Sequence, residues 1–146
     1  MRVIDVTRPY FLVRIGELLN ARVESERPLC LILEWGEVGF RIRKVRVLGR
    51  IIGLHKGPRR ADYIISDGSG EITLRVWEER MPLFKNIVVG DLIETFALPR
   101  IWAGTLYLVP VIVSKRREGA LEGLDEKIRA IRGYLVSLEG GGRAEP

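Results

Sequence analysis

A chain of 146 residues, 47% hydrophobic and 29% charged, is long and apolar enough for one domain with a real core and is excluded from the disordered class. Its single cysteine, Cys30, excludes an internal disulfide, and no window approaches the 18 apolar residues of a membrane span. The net charge of +5 is unevenly spread: residues 41–60 hold Arg41, Arg43, Lys44, Arg46, Arg50, Lys56, Arg59 and Arg60 without one Asp or Glu, a pattern that suggests a polyanionic partner.

The N-terminus, MRVIDVTRPYF, lacks the apolar run of a signal peptide, so a soluble, intracellular protein is expected. Residues 10–22 place Ile15, Leu18 and Leu19 at helical spacing and predict a short helix. PLCLILEW (28–35) reads as a strand, with Cys30 a small core residue inside it, and WGEVG as a turn. From Phe40 the period becomes two. RIRKVRVLGRIIGL is strand-like throughout, and its embedded Gly49 marks a bend or bulge. HKGPRR forms a basic loop. ADYIIS is the second strand, DGSG a turn and EITLRVW the third strand, antiparallel to the second. Residues 78–87 predict a short helix or irregular link, VVGDLIETFAL a fourth strand, PRIWAGT a loop and LYLVPVIV a fifth strand. Pro110 puts part of the fifth strand on an edge.

Five antiparallel strands with one connection between the third and fourth follow the order of an OB-fold, a Greek-key barrel. An SH3-like barrel is the nearest competitor. The expected fold is therefore mainly β: a five-stranded barrel domain over residues 1–117 with an N-terminal extension and short helix. An assembly helix over 118–139 and a disordered tail over 140–146 follow it. In the helix, Leu121, Leu124, Ile128, Ile131, Leu135 and Leu138 are spaced 3, 4, 3, 4, 3, which is a heptad seam. The seam is short and contains Gly123 and Gly133, each costing about 0.8–1 kcal/mol relative to Ala. It lies across the barrel or, as the strict heptad favours, pairs with helices of other chains.

Trp77 stands on the polar side of the third strand, in phase with Glu71, Thr73 and Arg75. Either the indole folds under the next segment, or it lies flat on an exposed sheet as a platform for a nucleobase. Stacking of that kind contributes about 1–3 kcal/mol per base and tolerates any sequence. Trp102, flanked by Arg100 and Gly104, is a second such aromatic. In the barrel reading, Trp77, Trp102, the loop Lys56–Arg60 and the loop around Arg100 converge on one cleft. Trp35 is left structural.

The order ELLNA, strand, VRVLGRIIG, loop, YIISDGSGEITLRVW and VVGDLIE resembles the middle subunit of replication protein A, over roughly residues 8–138. It is also similar to the telomere-capping relative of that subunit. The resemblance rests most on the hairpin ending Arg75-Val76-Trp77. It implies an archaeal-type, single-stranded-DNA-binding subunit acting in replication, recombination and repair, in the cytoplasm of a prokaryotic cell with its chromosome. Bases would stack on Trp77 and Trp102, and phosphates would meet Lys56, Arg59, Arg60, Arg75 and Arg100. It also implies a three-helix bundle in which the seam meets large and small subunits of a heterotrimer. The flexible N-terminal tail and the C-terminal winged-helix module of that family are not expected here. The absence of Gln and the two Asn among many charges fit a thermophilic source.

No catalytic constellation is expected, and no metal or cofactor. His55 is the lone histidine, with no second ligand to make a zinc site with distant Cys30, and DGSG lacks the GKS or GKT of a P-loop. Asp67 and Glu71 fit ordinary turn chemistry. Two other readings stay open: a barrel that chiefly holds partner subunits through its helix with little DNA binding of its own, and an RNA-binding barrel, since stacking platforms ignore the 2′-hydroxyl.

Overall fold

The computed structural model of the chain describes the backbone of residues 1–144 and the side chains of residues 1–139. The elements run β1 (Arg2–Asp5), β2 (Tyr10–Leu12), α1 (Ile15–Leu19), β3 (Arg22–Glu26), β4 (Leu29–Trp35), β5 (Val38–Ile42), β6 (Lys44–Lys56), β7 (Arg60–Ser66) and β8 (Glu71–Trp77). A 3-10 turn, Glu78–Phe84, leads to β9 (Leu92–Trp102) and β10 (Thr105–Lys115), and a second, Glu118–Leu121, to α2 (Leu124–Ala144).

Strand β6 organises the barrel. At 13 residues it is long enough to serve both ends: Val45–Arg50 pair with β9, and Arg50–Lys56 with β7. Continuing through β8 and β10 back to β9, the circuit β6-β7-β8-β10-β9-β6 closes, so the expected five-stranded OB barrel is present. The pairing is not wholly antiparallel, because β10 meets β8 in parallel at Leu108 and Leu74. The bulge in β6 falls between Ile51 and Gly53, while Gly49 sits just before the strand passes from β9 to β7. Pro110 is absorbed by another bulge, between Pro110 and Ile112. Alternate residues fill the interior, among them Val45, Val47, Ile51, Ala61, Ile65, Ile72, Leu74, Val76, Ile93, Ala97 and Leu108.

The N-terminal extension holds more structure than its sequence suggests. A second sheet, ordered β1-β5-β4-β3, shares one core with the barrel through Ile4, Leu31, Leu33, Phe40 and Ile42. The strand expected to run unbroken from Phe40 is therefore two, β5 and β6, split at Arg43. Cys30 lies buried in β4, where burial pushes its thiol up and away from reactivity. Helix α1 is only five residues long, and other parts of the chain complete it. The Asp67 carboxylate accepts the Ile15 N–H at 2.8 Å, and Ser69 Oγ accepts that of Gly16 at 2.8 Å. The DGSG turn thus caps a helix far away in sequence, using the same Asp67 that accepts the Ser69 N–H within the turn.

Helix α2 starts at Leu124, which leaves Leu121 in the preceding 3-10 turn. Leu124 and Ile128 are buried against Leu12, Leu48 and Leu92, with Leu121 and Ile131 packed beside them. Leu135 and Val136 reach the main core. Tyr134 and Leu138 stay exposed, at 63% and 53%. Between the two groups lies Arg132, 1% exposed, under the rings of Phe11, Trp35 and Phe40 and bonded to Glu17. The expected tail over 140–146 falls on helix backbone as far as Ala144 and, at 145–146, outside the described residues. Among the described residues no helix is long and apolar enough to cross a membrane.

Candidate nucleic-acid interface

The pairing of β7 with β8 sets Arg60 opposite Trp77, Asp62 opposite Arg75 and Ile64 opposite Thr73. Their neighbours in sequence, from Ala61 to Val76, are buried, so these three pairs point outward. Trp77 is 40% exposed, an indole on the barrel's outside and not under the following 3-10 turn. The Arg60 guanidinium lies over its ring, 5.4 Å from the centroid. Backbone bonds from Gly57 N–H to the Arg60 carbonyl (2.7 Å) and from Glu78 N–H to the Arg59 carbonyl (2.9 Å) pin the basic loop at this end. Together His55, Lys56, Pro58, Arg59, Arg60 and Trp77 line a cavity of about 450 Å³. The expected companions Lys56, Arg59, Arg60 and Trp77 are therefore brought together.

Arg75 lies deeper on the same face. It donates to Asp62 at 3.2 Å, and its guanidinium sits 4.6 Å from the centroid of the Tyr107 ring. Arg60 approaches the same Asp62 carboxylate at 3.6 Å. Tyr107 was missed in the sequence because it stands inside the apolar run LYLVPVIV. The signal lies in the register of the β9–β10 hairpin, which sets Tyr107 opposite Arg100.

The loop expected over PRIWAGT does not form. Pro99–Trp102 are strand, and the turn shrinks to Ala103 and Gly104, both left-handed with φ of 51° and 77°. Trp102 therefore stands at a hairpin tip, 70% exposed, with Arg100 two residues before it. Neither belongs to the cavity beside Trp77, so the expected single cleft is instead two ends of one track. Because Leu108 pairs with Leu74, the tip lies level with Glu71 at the far end of β8, six residues or about 20 Å from Trp77. A cavity of about 490 Å³, lined by Ile64, Glu71, Thr73, Gly104 and Thr105, adjoins that tip.

The basic block divides. Arg41 forks onto Glu24 at 2.6 and 2.9 Å, Arg46 bonds Glu94 at 2.7 Å, and Arg50 pairs with Glu118. Those three cations are occupied within the chain, away from the track. Burial would raise the Glu94 carboxyl, but the Arg46 and Arg116 guanidiniums outweigh it and hold the group below the usual carboxylate range. Only the 56–60 part of the block reaches the track. Among the described residues no group of three or more His, Cys, Asp or Glu is placed to hold a metal ion.

No family model matches the chain. It is similar to an uncharacterized 18.7 kDa protein in the ribosomal RNA operon of Thermofilum pendens, 30% identical over 106 residues, which are 70% of this chain and 62% of that protein. It is also similar to an uncharacterized protein of Methanocaldococcus jannaschii, 31% identical over 120 residues, 82% of this chain and 47% of that one. The chain thus spans about three fifths and about half of these curated relatives. Among solved structures it is similar to a chain of a replication protein A heterotrimer bound to single-stranded DNA. There the TM-score is 0.67 at 15% identity, over 88% of this chain and 97% of that one. A chain of the Schizosaccharomyces pombe Stn1–Ten1 complex gives a TM-score of 0.72 at 13% identity, over 92% and 98%. The fold, a closed five-stranded OB barrel with a C-terminal helix, is shared with these two chains.

Proposed function

We propose that the chain is a single-stranded-DNA-binding subunit of a replication protein A-like complex, acting in replication, recombination and repair. One observation carries the reading. An exposed Trp77 closes a barrel strand on an outer face that also holds Arg60, Arg75, Tyr107, Arg100 and Trp102. Such a face supplies what an unpaired strand offers to any protein: rings for its bases and cations for its phosphates. Trp77 and Trp102 are the outer platforms and Tyr107 a middle one. Lys56, Arg59, Arg60, Arg75 and Arg100 meet the backbone. The two solved complexes with this fold, one of them bound to single-stranded DNA, support the reading.

Titration of labelled oligothymidine at several salt concentrations tests it. Affinity falls as salt rises, with a log–log slope of about −0.7 per phosphate contact. Trp77→Ala and Trp102→Ala each weaken binding by about 1–3 kcal/mol. Unchanged affinity in both variants would refute the stacking assignment. Matched RNA oligomers in competition decide between the two nucleic acids, and a preference for RNA would move the protein out of replication.

The exposed Tyr134 and Leu138, with Ile131 half-exposed beside them, favour a second role that can coexist with the first. In it α2 joins helices of large and small partner subunits. Of the heptad seam, Leu124 and Ile128 are buried on this chain's own barrel and Leu135 packs against its core, which leaves Leu138, the outer part of Ile131 and, off the seam, Tyr134 to meet a partner. Truncation near residue 117, with the oligomer mass measured beside candidate partners, tests it.

A further inference from the structure

The N-terminal sheet comes beside the track at its β3–β4 turn. The turn joining β3 to β4 faces the β9–β10 tip across a cavity of about 500 Å³, lined by Glu26, Arg27, Pro28 and Leu29 on one side and Arg100, Ile101, Ala103 and Gly104 on the other. Each wall contributes an arginine. The Arg27 side chain makes no hydrogen bond or ion pair among the described residues, although Glu26 adjoins it. Among the described residues Arg100 donates only to the carbonyl of its own neighbour, Pro99, at 2.8 Å. At Asp62, by contrast, Arg60 and Arg75 already hold a carboxylate. Two guanidiniums without an acid, on opposite walls of an open cavity beside the exposed Trp102, form an arrangement that suits a bridging phosphodiester.

From this, and resting on the proposed single-strand reading, we infer that this cavity is a nucleotide subsite outside the barrel. A strand leaving Trp102 continues into it, one phosphate lies between Arg27 and Arg100, and the attached nucleoside lies along Pro28 and Leu29. The Glu26 carboxylate accepts only from donor groups, so it meets base N–H edges and not phosphate. The footprint then exceeds that of the five strands, and the N-terminal sheet has a part in binding as well as in the core.

Anisotropy titrations with oligothymidines of about 4 to 16 nucleotides test this. The wild-type affinity rises with length to a plateau. Arg27→Ala reaches its plateau one or two nucleotides earlier, binds long oligomers about two- to fivefold more weakly and shows a salt slope shallower by about 0.7. The shortest oligomers bind both proteins alike. Arg27→Gln repeats the result with the side-chain length kept. A strand ending in 4-thiothymidine, irradiated on the wild-type protein, labels the peptide that contains residues 26–29. Plateau and slope indifferent to Arg27 and no label on residues 26–29, with Trp77→Ala still weakening binding, would overturn the subsite alone. A wild-type protein with no salt-dependent binding would overturn the single-strand reading together with it.

Discussion

Arg132 offers the sharpest test of how α2 is held. Its guanidinium donates to Glu17 (Nη1 to Oε2, 2.9 Å) and to the Leu12 carbonyl at 3.1 Å, while its Nε finds no hydrogen-bond partner. The rings of Phe11, Trp35 and Phe40 surround it at 5.2, 6.0 and 5.9 Å. Glu17→Gln preserves volume and removes the one carboxylate paired with Arg132 among the described residues, stranding a cation in a nearly closed site. Breaking a fully buried pair from one side costs about 3–5 kcal/mol. The Glu17 side chain is 26% exposed, so water recovers part of that and about 2–3 kcal/mol is expected. For a chain of this size the melting temperature then falls by about 4–12 °C. Urea and thermal unfolding measure both. Arg132→Met in the Glu17→Gln background should restore most of the loss, because a thioether suits a ring-lined site and leaves no charge to compensate. A single substitution within about 0.5 kcal/mol of wild type, or a double variant as unstable as the single, would refute the reasoning.

Gly16→Ala would set a Cβ 2.6 Å from the Ser69 carbonyl oxygen and should cost about 1–3 kcal/mol of unfolding free energy in urea. Gly133→Ala meets nothing within 4 Å on the exposed side of α2, and the same measurement should show a gain of about 0.8–1 kcal/mol. Asp62→Asn releases Arg60 and Arg75 to phosphate, so oligothymidine affinity should rise about two- to fivefold; a fall would mean that the carboxylate positions the guanidiniums. Glu94, whose folded pKa is depressed, adds stability that is present above its unfolded value and lost as pH drops through the folded one. Glu94→Gln should accordingly be less stable than wild type at pH 7, with the gap in urea midpoint closing below the ordinary carboxylate range.

The barrel was legible where local chemistry and tertiary structure agree. EITLRVW alternates because one face is buried, and DGSG turns because glycine and aspartate favour it, so the β7–β8 hairpin and the outward Trp77 could both be read. PRIWAGT misled for a physical reason. Pro99 and Gly104 resemble loop punctuation, yet the tip needs only Ala103 and Gly104 in left-handed conformations, and Pro99 is tolerated as strand. Strands β1 and β3 are short and mixed in charge: β1 is fixed by its distant partner β5, and β3, although it folds straight back onto β4, shows no apolar alternation of its own. The same holds for Tyr107 and Arg132: one is a ring inside an apolar run, the other a cation between heptad positions. The block 41–50 read as a free polyanion site because Glu24, Glu94 and Glu118, which neutralise much of it, lie elsewhere in the chain.

Helix α1 cannot finish itself. Five residues form no stable helix in water alone, and the groups that complete this one lie 52 and 115 positions downstream, at Asp67 and Arg132. During synthesis, with earlier residues emerging first, residues 15–19 must wait for the barrel hairpin and then for Arg132 in α2. Birth order and folding order are therefore reversed at this end of the molecule, and a ribosome stalled before residue 132 would carry a barrel whose opening segment is still unsettled.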